Sequence, residues 1–307
     1  MIKSLTVVNY LGESLRLNLQ TSNEETGIYV SSVTGIGPGK ANINTVSLAS
    51  DDGGIYNSAR LDIRNIVITL GFYQSVSLKN SIEDARQLTY KYFPLKKPLT
   101  LIFETDNRTL YIDGYPESNE PDIFSDKETT QISIICPDPK FYDALGSSFI
   151  DFSGIESLFE FPYSNESLTE NLTEFGSIVV NTDRELIYNG DEETGVTINI
   201  HPKSSVTGLR IVNISTNEGI TLDDTAITNI TGAGISAYDD IYINTVKGRK
   251  SATLTRAGIS YNIINALGRT PDWFQLVKGK NVFSYTATTG AIDTIITIYY
   301  DVAFAGV

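Results

Sequence analysis

The segment Gln131–Tyr142, QISIICPDPKFY, limits the fold more than any other stretch of the chain. Ile132, Ile134 and Cys136 alternate with Gln131, Ser133 and Ile135, the period-two pattern of a strand with one buried face. Pro137 and Pro139 then remove two backbone donors, so the strand ends and a stiff corner follows. Before this corner the chain carries a strong helix signal and dense hairpins. After it come short strands rich in Thr, Ile and Asn, with no comparable helix. The corner therefore reads as a joint between two domains, 1–142 and 143–307, a division that fits a length of 307 residues.

In the first half, Leu5–Val8, the polar Asn9–Glu13, and Leu15, Leu17 and Leu19 at spacing two read as a hairpin. The polar 21–26 stretch and the β-branched Ile28–Val33 follow. Gly35-Ile36-Gly37-Pro38-Gly39-Lys40 then demands irregular backbone. A phosphate-binding Walker loop needs four residues between its glycines, then Lys and Ser/Thr opening a helix. Here three intervene, Ala41 follows Lys40 and Asn42-Ile43-Asn44 starts no helix, so nucleotide binding is rejected.

Ala41–Leu70 reads as a long hairpin around the turn signal Asp51-Asp52-Gly53-Gly54. Its near strands, Asn42–Ser50 and Ile55–Arg64, mix Asn, Ser and Arg among apolar positions. Such a hairpin is either an arm that reaches a neighbouring subunit or a solvated surface hairpin. If it is an arm, Asn42, Asn44, Asp52, Gly53, Tyr56, Asn57 and Arg60 are its interface candidates. Asn80–Pro94 reads as a helix: Ile82, Ala85, Leu88 or Thr89, and Tyr92 recur at helical spacing, Asn80 or Ser81 caps it, and Pro94 ends it. Leu99, Leu101 and Phe103, the turn Asp106-Asn107-Arg108, and Leu110 with Ile112 make a further hairpin, followed by Gly114-Tyr115-Pro116.

In the second half, Asp143–Phe175 lacks clean periodicity and reads as a connection and first edge. Short strands follow at Ser177–Asn181, Leu186–Asn189, Thr197–Ile200, Leu209–Asn213, Ile220–Leu222, Ile241–Asn244, Ser251–Leu254 and Val282–Thr286. A final apolar strand, Ile292–Tyr300, closes the set. Turns at Asn189-Gly190-Asp191, Thr231–Gly234 and Val246-Lys247-Gly248 divide them, the signature of a sandwich or jelly roll.

The chemistry available is narrow. Cys136 is the only cysteine and reads as a small buried hydrophobe, and His201 is the only histidine, so the nitrogen and sulfur zinc sites are out of reach. The acidic turn Asn189–Gly195, NGDEETG, lacks the ligand spacing of a calcium loop. No pair of carboxylates stands out for glycoside hydrolysis. No catalytic, cofactor-binding or metal-binding residue is assigned, and no enzyme is expected. Thirty-seven acidic against 23 basic residues give a formal charge of −14, opposite to the footprint of a nucleic-acid binder. No apolar run approaches the ~20 residues of a membrane helix. Asn9, Gly12 and Glu13 interrupt the apolar run that a signal peptide needs, so the chain is expected to stay where it is made unless lysis releases it. The Asn-X-Ser/Thr matches at Asn107, Asn165, Asn171, Asn213 and Asn229 are discounted for the same reason.

GIGPGKANIN (Gly35–Asn44), DGGIYNSARLDIRNIVITLGF (Asp52–Phe72), IEDARQLTYKYFPLKKPLTL (Ile82–Leu101), DNRTLYIDGYPES (Asp106–Ser118) and ISIICPDPKFY (Ile132–Tyr142) occur in this order. Together they resemble the N-terminal domain of the distal tail (Dit) proteins of long-tailed phages infecting Gram-positive bacteria. Gly39 and Lys140 depart from that pattern. The second half is similar to the Dit C-terminal domain more loosely, through Asp240–Leu254, Asp272–Thr286 and the last strand.

The resemblance implies a mainly β fold: a tail-tube-like β-sandwich with one α-helix and a hairpin arm, then a galectin-like β-sandwich. It implies a structural protein whose copies form a homo-hexameric ring at the distal end of the phage tail, each arm lying on its neighbour. Such a ring joins the tail-tube protein to the baseplate or tail tip, contacts a tail hub or tail-associated protein, and docks receptor-binding proteins for host adsorption. Its copies are made in the host cytoplasm and reside in the virion. It needs no cofactor and no membrane, and it lets the genome pass without binding it specifically; the acidic balance suits that passage. The alternative is a carbohydrate-binding module acting at the host cell wall, with Trp273 as the contact. No galectin sugar signature supports it, because His201 precedes Pro202 with no Asn-Pro-Arg after it. An enzyme acting on wall polymers is the third reading.

Overall fold

The structure, a computed structural model, describes residues 1–19, 26–48, 52–73, 81–125, 127–157, 176–180, 182–268 and 271–307. The expectations for Asn80, for the polar stretch up to residue 25 and for the connection over 158–175 lie outside the described residues. The chain divides into two compact units, Met1–Gly146 with Ala303–Val307, and Ser147–Val302.

In the first unit, β1 (Ile2–Val8) and β2 (Ser14–Asn18) make the expected hairpin, with Leu5 opposite Leu17 and Val7 opposite Leu15. All four are buried. Asn9 closes the turn through Oδ1, which accepts from the N–H groups of Leu11 and Glu13, each at 3.0 Å. Next come β3 (Ile28–Thr34), β4 (Ala41–Ser47), β5 (Gly54–Leu61), β6 (Arg64–Phe72) and α1 (Ile82–Tyr92). They are followed by β7 (Leu99–Thr105), β8 (Thr109–Asp122), β9 (Thr129–Cys136) and β10 (Phe141–Asp143). The main sheet runs β2-β1-β7-β8-β9-β6-β3, with every neighbour antiparallel. A parallel bridge between Leu19 and Val30 joins the two ends of that path, so the sheet curls onto itself. Val7, Ile68, Leu101, Phe103, Ile132 and Ile134 fill the interior without exposure.

The strand containing Leu110 and Ile112 does not stop at Gly114. β8 pairs with β7 as far as Gly114 and with β9 from Tyr115 onward, carrying the sheet around a bend. Only glycine fits at the bend: a Cβ at residue 114 would stand 2.6 Å from Ile134 Cγ2 and 2.9 Å from Cys136 Sγ. Gly114→Val should therefore destabilise the unit by roughly 1–3 kcal/mol through overpacking. Urea denaturation should show a lower midpoint at unchanged slope.

Cys136 is fully buried on β9, as its alternation implied. Burial pushes its thiol up to about 12. A thiol reagent should leave the native protein unreacted at neutral pH and titrate one thiol after denaturation. Because the folded value is raised, the associated stability is complete below the ordinary thiol range near ~8.5 and is lost as pH climbs toward the folded value.

Helix α1 begins at Ser81 with a reciprocal cap. The Asp84 N–H donates to Ser81 Oγ at 3.2 Å, and the Ser81 N–H donates to Asp84 Oδ2 at 2.9 Å. The Ser81 N–H, and then the Ser81 hydroxyl at 2.8 Å, donate to the Asp84 carboxylate and hold it below its usual range. Ala85 and Thr89 face inward, with Ile82, Leu88 and Tyr92 packed beside them. Lys91 in the last turn pairs with Glu13 at 2.8 Å, tying the helix to the β1–β2 turn.

The long hairpin expected over 41–70 is shorter. β4 and β5 pair with each other, Ala41 opposite Leu61, whereas β6 departs and lies between β3 and β9. The apolar positions change parity here, from Leu61 and Ile63 to Ile66, Ile68 and Leu70, a break that the reading of one long hairpin passed over.

The second unit contains β11 (Ser148–Asp151), β12 (Ser153–Ser157), β13 (Gly176–Val180), β14 (Asp183–Tyr188), β15 (Val196–Pro202), β16 (Arg210–Asn213) and β17 (Glu218–Thr221). After α2 (Asp224–Thr231) come β18 (Asp240–Asn244), β19 (Ser251–Arg256), β20 (Ile259–Asn262), β21 (Gly279–Thr286) and β22 (Thr294–Tyr300). A six-stranded sheet, β11-β22-β15-β18-β19-β20, and a four-stranded sheet, β14-β21-β16-β17, share one core that includes Ile198, Ile200, Ile211, Ile241 and Phe283. The mainly β reading of this half holds, and α2, at 8 residues shorter than the 11 of α1, is a helix that the sequence reading did not place. Asp223 caps that helix through Oδ1, which accepts from Thr225 and Ala226 at 2.9 and 3.0 Å, and Gly232 ends it in the left-handed region. Thr- and Ile-rich composition is poor in helix propensity, and Ile227 is its one buried residue, so helical periodicity is nearly absent.

The last apolar strand is present as β22, Thr294–Tyr300, lying between β11 and β15. Residues 303–304 then pair antiparallel with β10 as part of the first unit. No described helix is long and apolar enough to cross a membrane.

Candidate functional site

The hairpin β4–β5 is the feature of the first unit that the core does not account for. Its sequence, ANINTVS and GIYNSARL, is β-prone enough for strands but too polar to bury a face. Both strands are exposed along their length, with only Leu61 half-buried. They form a separate two-stranded sheet. A lone hairpin of this kind is marginal in water. Yet it displays Ile43, Val46, Ile55 and Tyr56 at 53–63% exposure.

Opposed residues share a face. One face carries Ala41–Leu61, Ile43–Ala59 and Thr45–Tyr56; the other carries Asn42–Arg60, Asn44–Ser58 and Val46–Ile55. Asn57 is the extra residue where the register shifts between Asn44 and Thr45. Of the seven expected interface residues, Asn42, Asn44 and Arg60 thus fall on one face and Tyr56 on the other, with Asn57 at the bulge. Asp52 and Gly53 lie at the tip, beside 49–51, which are outside the described residues. Only Asn42 and Arg60 are brought directly opposite each other. Ile43, Val46 and Ile55, exposed on the same hairpin, were not among the seven, although the alternation of Ile43 with Asn42 and Asn44 pointed to that position.

Arg64 anchors the hairpin's root and was not singled out in the sequence. It is 5% exposed. Its Nε donates to Pro139 O at 2.7 Å, Nη1 to Gly35 O at 2.7 Å and to Gly37 O, and Nη2 to Ala305 O at 2.8 Å. The guanidinium lies 4.7 Å from the Phe141 ring centroid. A planar fork with five donors suits this set of carbonyls where an ammonium would not.

In the second unit, Trp273 is half-buried against the core, with Lys250 Nζ 5.2 Å from its ring centroid. His201 Nδ1 lies 2.8 Å from Asp240 Oδ1. The acids of the Asn189–Gly195 turn meet lysines rather than one another: Asp191 with Lys278 at 2.7 Å and Glu193 with Lys247 at 3.6 Å. Among the described residues no three His, Cys, Asp or Glu side chains converge as metal ligands would.

No protein-family model and no curated protein matches the sequence. Among solved structures, the chain is similar to the SPP1 Dit protein, described as a paradigm of the hub adsorption apparatus in Gram-positive infecting phages. The TM-score is 0.62 at 14% identity, covering 98% of this chain and 100% of that one. A chain of the phage P2 baseplate in its activated conformation with Ca gives a TM-score of 0.47 at 11% identity, covering 97% and 98%. At these identities the likeness is one of fold, and the resemblance read from the motifs holds at that level: this is a Dit-like fold from end to end.

Proposed function

We propose that a chain with the Dit fold over its whole length is a structural protein of a phage tail hub, at the distal end of the tail. The end-to-end correspondence with SPP1 Dit carries this reading, because it spans both units rather than one widely shared module. In the finer form, copies close into a hexameric ring joined to the tail tube on one side and to baseplate or tip proteins on the other. Receptor-binding proteins dock on the second unit. A ring of identical subunits needs a heterologous interface whose rotation closes. The exposed hairpin β4–β5 supplies one side of it, where covering Ile43, Val46, Ile55 and Tyr56 also stabilises the arm. A formal charge of −14 suits a conduit that must not retain DNA, since carboxylates repel phosphate.

The carbohydrate-binding alternative has no specific observation in its favour, since Trp273 offers a ring already covered by core and lysine. Gold-labelled antibody against the chain, applied to phage particles that carry it, tests the reading. Label at the distal tip of the tail is expected; label on the capsid or along the tube contradicts it.

A further inference from the structure

We infer that residues 303–307 latch the root of the arm, so that Arg64 and Gly306 set the direction in which β4 and β5 project. The inference rests on reading this hairpin as an assembly arm. The chain enters the arm through Gly35–Lys40, which is irregular and has no strand partner of its own to fix it. Three successive carbonyls of this entry are nevertheless taken. Gly35 and Gly37 accept from Arg64, and Ile36 O accepts from the Val307 N–H at 3.0 Å.

Gly306 lies flush on the same loop: a Cβ there would stand 3.0 Å from Gly37 C, 3.0 Å from Ile36 O and 3.2 Å from Pro38 N. The exit from the arm supplies the clamp itself, because Arg64 follows Leu61 by three residues. The Asp62 N–H donates to Lys40 O at 3.2 Å and ties exit to entry. The tail is fixed in turn. Phe304 pairs with Phe141, its ring lies 4.5 Å from the Arg108 guanidinium, and both Phe304 and Val307 pack against the core. Both roots of the arm are therefore held between the body of the first unit and the tail. A closed ring requires every arm to leave its subunit at one angle, and this latch is where that angle is set.

The test uses the full chain with Ser58→Cys on the arm and Glu120→Cys on β8, both exposed positions, spin-labelled and read by pulsed electron paramagnetic resonance at high dilution. Buried Cys136 stays unlabelled. One narrow distance is expected with Gly306 present. Gly306→Val should broaden or shift it while circular dichroism stays unchanged and the unfolding midpoint falls only modestly. Gly306→Ala should do so to a smaller degree, and it serves as the test if the valine variant does not fold. A narrow, unshifted distance in a folded variant overturns the latch. So does broadening that appears only with a collapsed midpoint, because Gly306 would then serve the body rather than the arm. The distance is read within single chains, so failure of the copies to assemble would contradict the ring without touching the latch.

Discussion

Replacing Arg64 by methionine should cost the first unit at least ~3 kcal/mol. Four backbone carbonyls, those of Pro139, Gly35, Gly37 and Ala305, lose a charge-assisted donor at once. Each buried acceptor left unsatisfied costs about 1–3 kcal/mol, reduced where water reaches it. Methionine fills much of the volume over Phe141, so the loss reports hydrogen bonding more than packing. Arg64→Lys should recover only part of it, because one ammonium cannot reach acceptors arranged around a planar fork. Denaturant unfolding of both variants, followed by amide exchange in the first unit, provides the measurement. A methionine variant as stable as the parent would show that these bonds contribute nothing net.

Arg256→Ala should be comparably damaging in the second unit, at about 3 kcal/mol, the lower end of the loss when one partner of a buried ion pair is removed, because Asp239 is buried while Arg256 is partly exposed. Asp239 is 1% exposed and accepts from Arg256 Nε at 2.8 Å and Nη2 at 2.6 Å, in the two-pronged geometry that favours arginine. Without the guanidinium, Asp239 keeps the Ser236 N–H at 2.8 Å as its bond from the adjoining turn, and Gly234 O keeps only the Ser236 hydroxyl at 3.1 Å. The hydrogen bond with Asp239 raises the Arg256 pKa, so the guanidinium stays charged. The double variant Asp239→Asn with Arg256→Ala should be less damaged than Arg256→Ala alone, since no buried charge is then stranded. Differential exchange should place this loss in 182–268, whereas the Arg64 loss falls in the first unit.

Much of this fold was legible because its strands bury one face. Leu15 and Leu17, Ile132 and Ile134, and Leu99, Leu101 and Phe103 declare their faces by alternation, and all are buried. Ser81, Asp84 and Lys91 marked the helix ends because capping chemistry is local. What remained hidden depends on pairing rather than periodicity. Alternation cannot say which strands β6 joins after the parity break, or that β8 changes partners at Gly114. The return of residues 303–307 to the first unit left no sequence signal, because a two-residue pairing and an arginine from 241 positions earlier hold it. The hairpin β4–β5 was visible as a polar hairpin, but its exposed apolar residues Ile43, Val46 and Ile55 were passed over in favour of Asn and Arg neighbours. α2 was missed because Thr and Ile, good strand formers, fill it.

The ring is tested most directly by the mass of the purified chain, measured by light scattering over a concentration series with negative-stain images of the same samples. Closed rings near six times 33.7 kDa are expected, formed by the chain alone or once the tail-tube protein is added. A monomer at every concentration, unchanged by that partner, would contradict it.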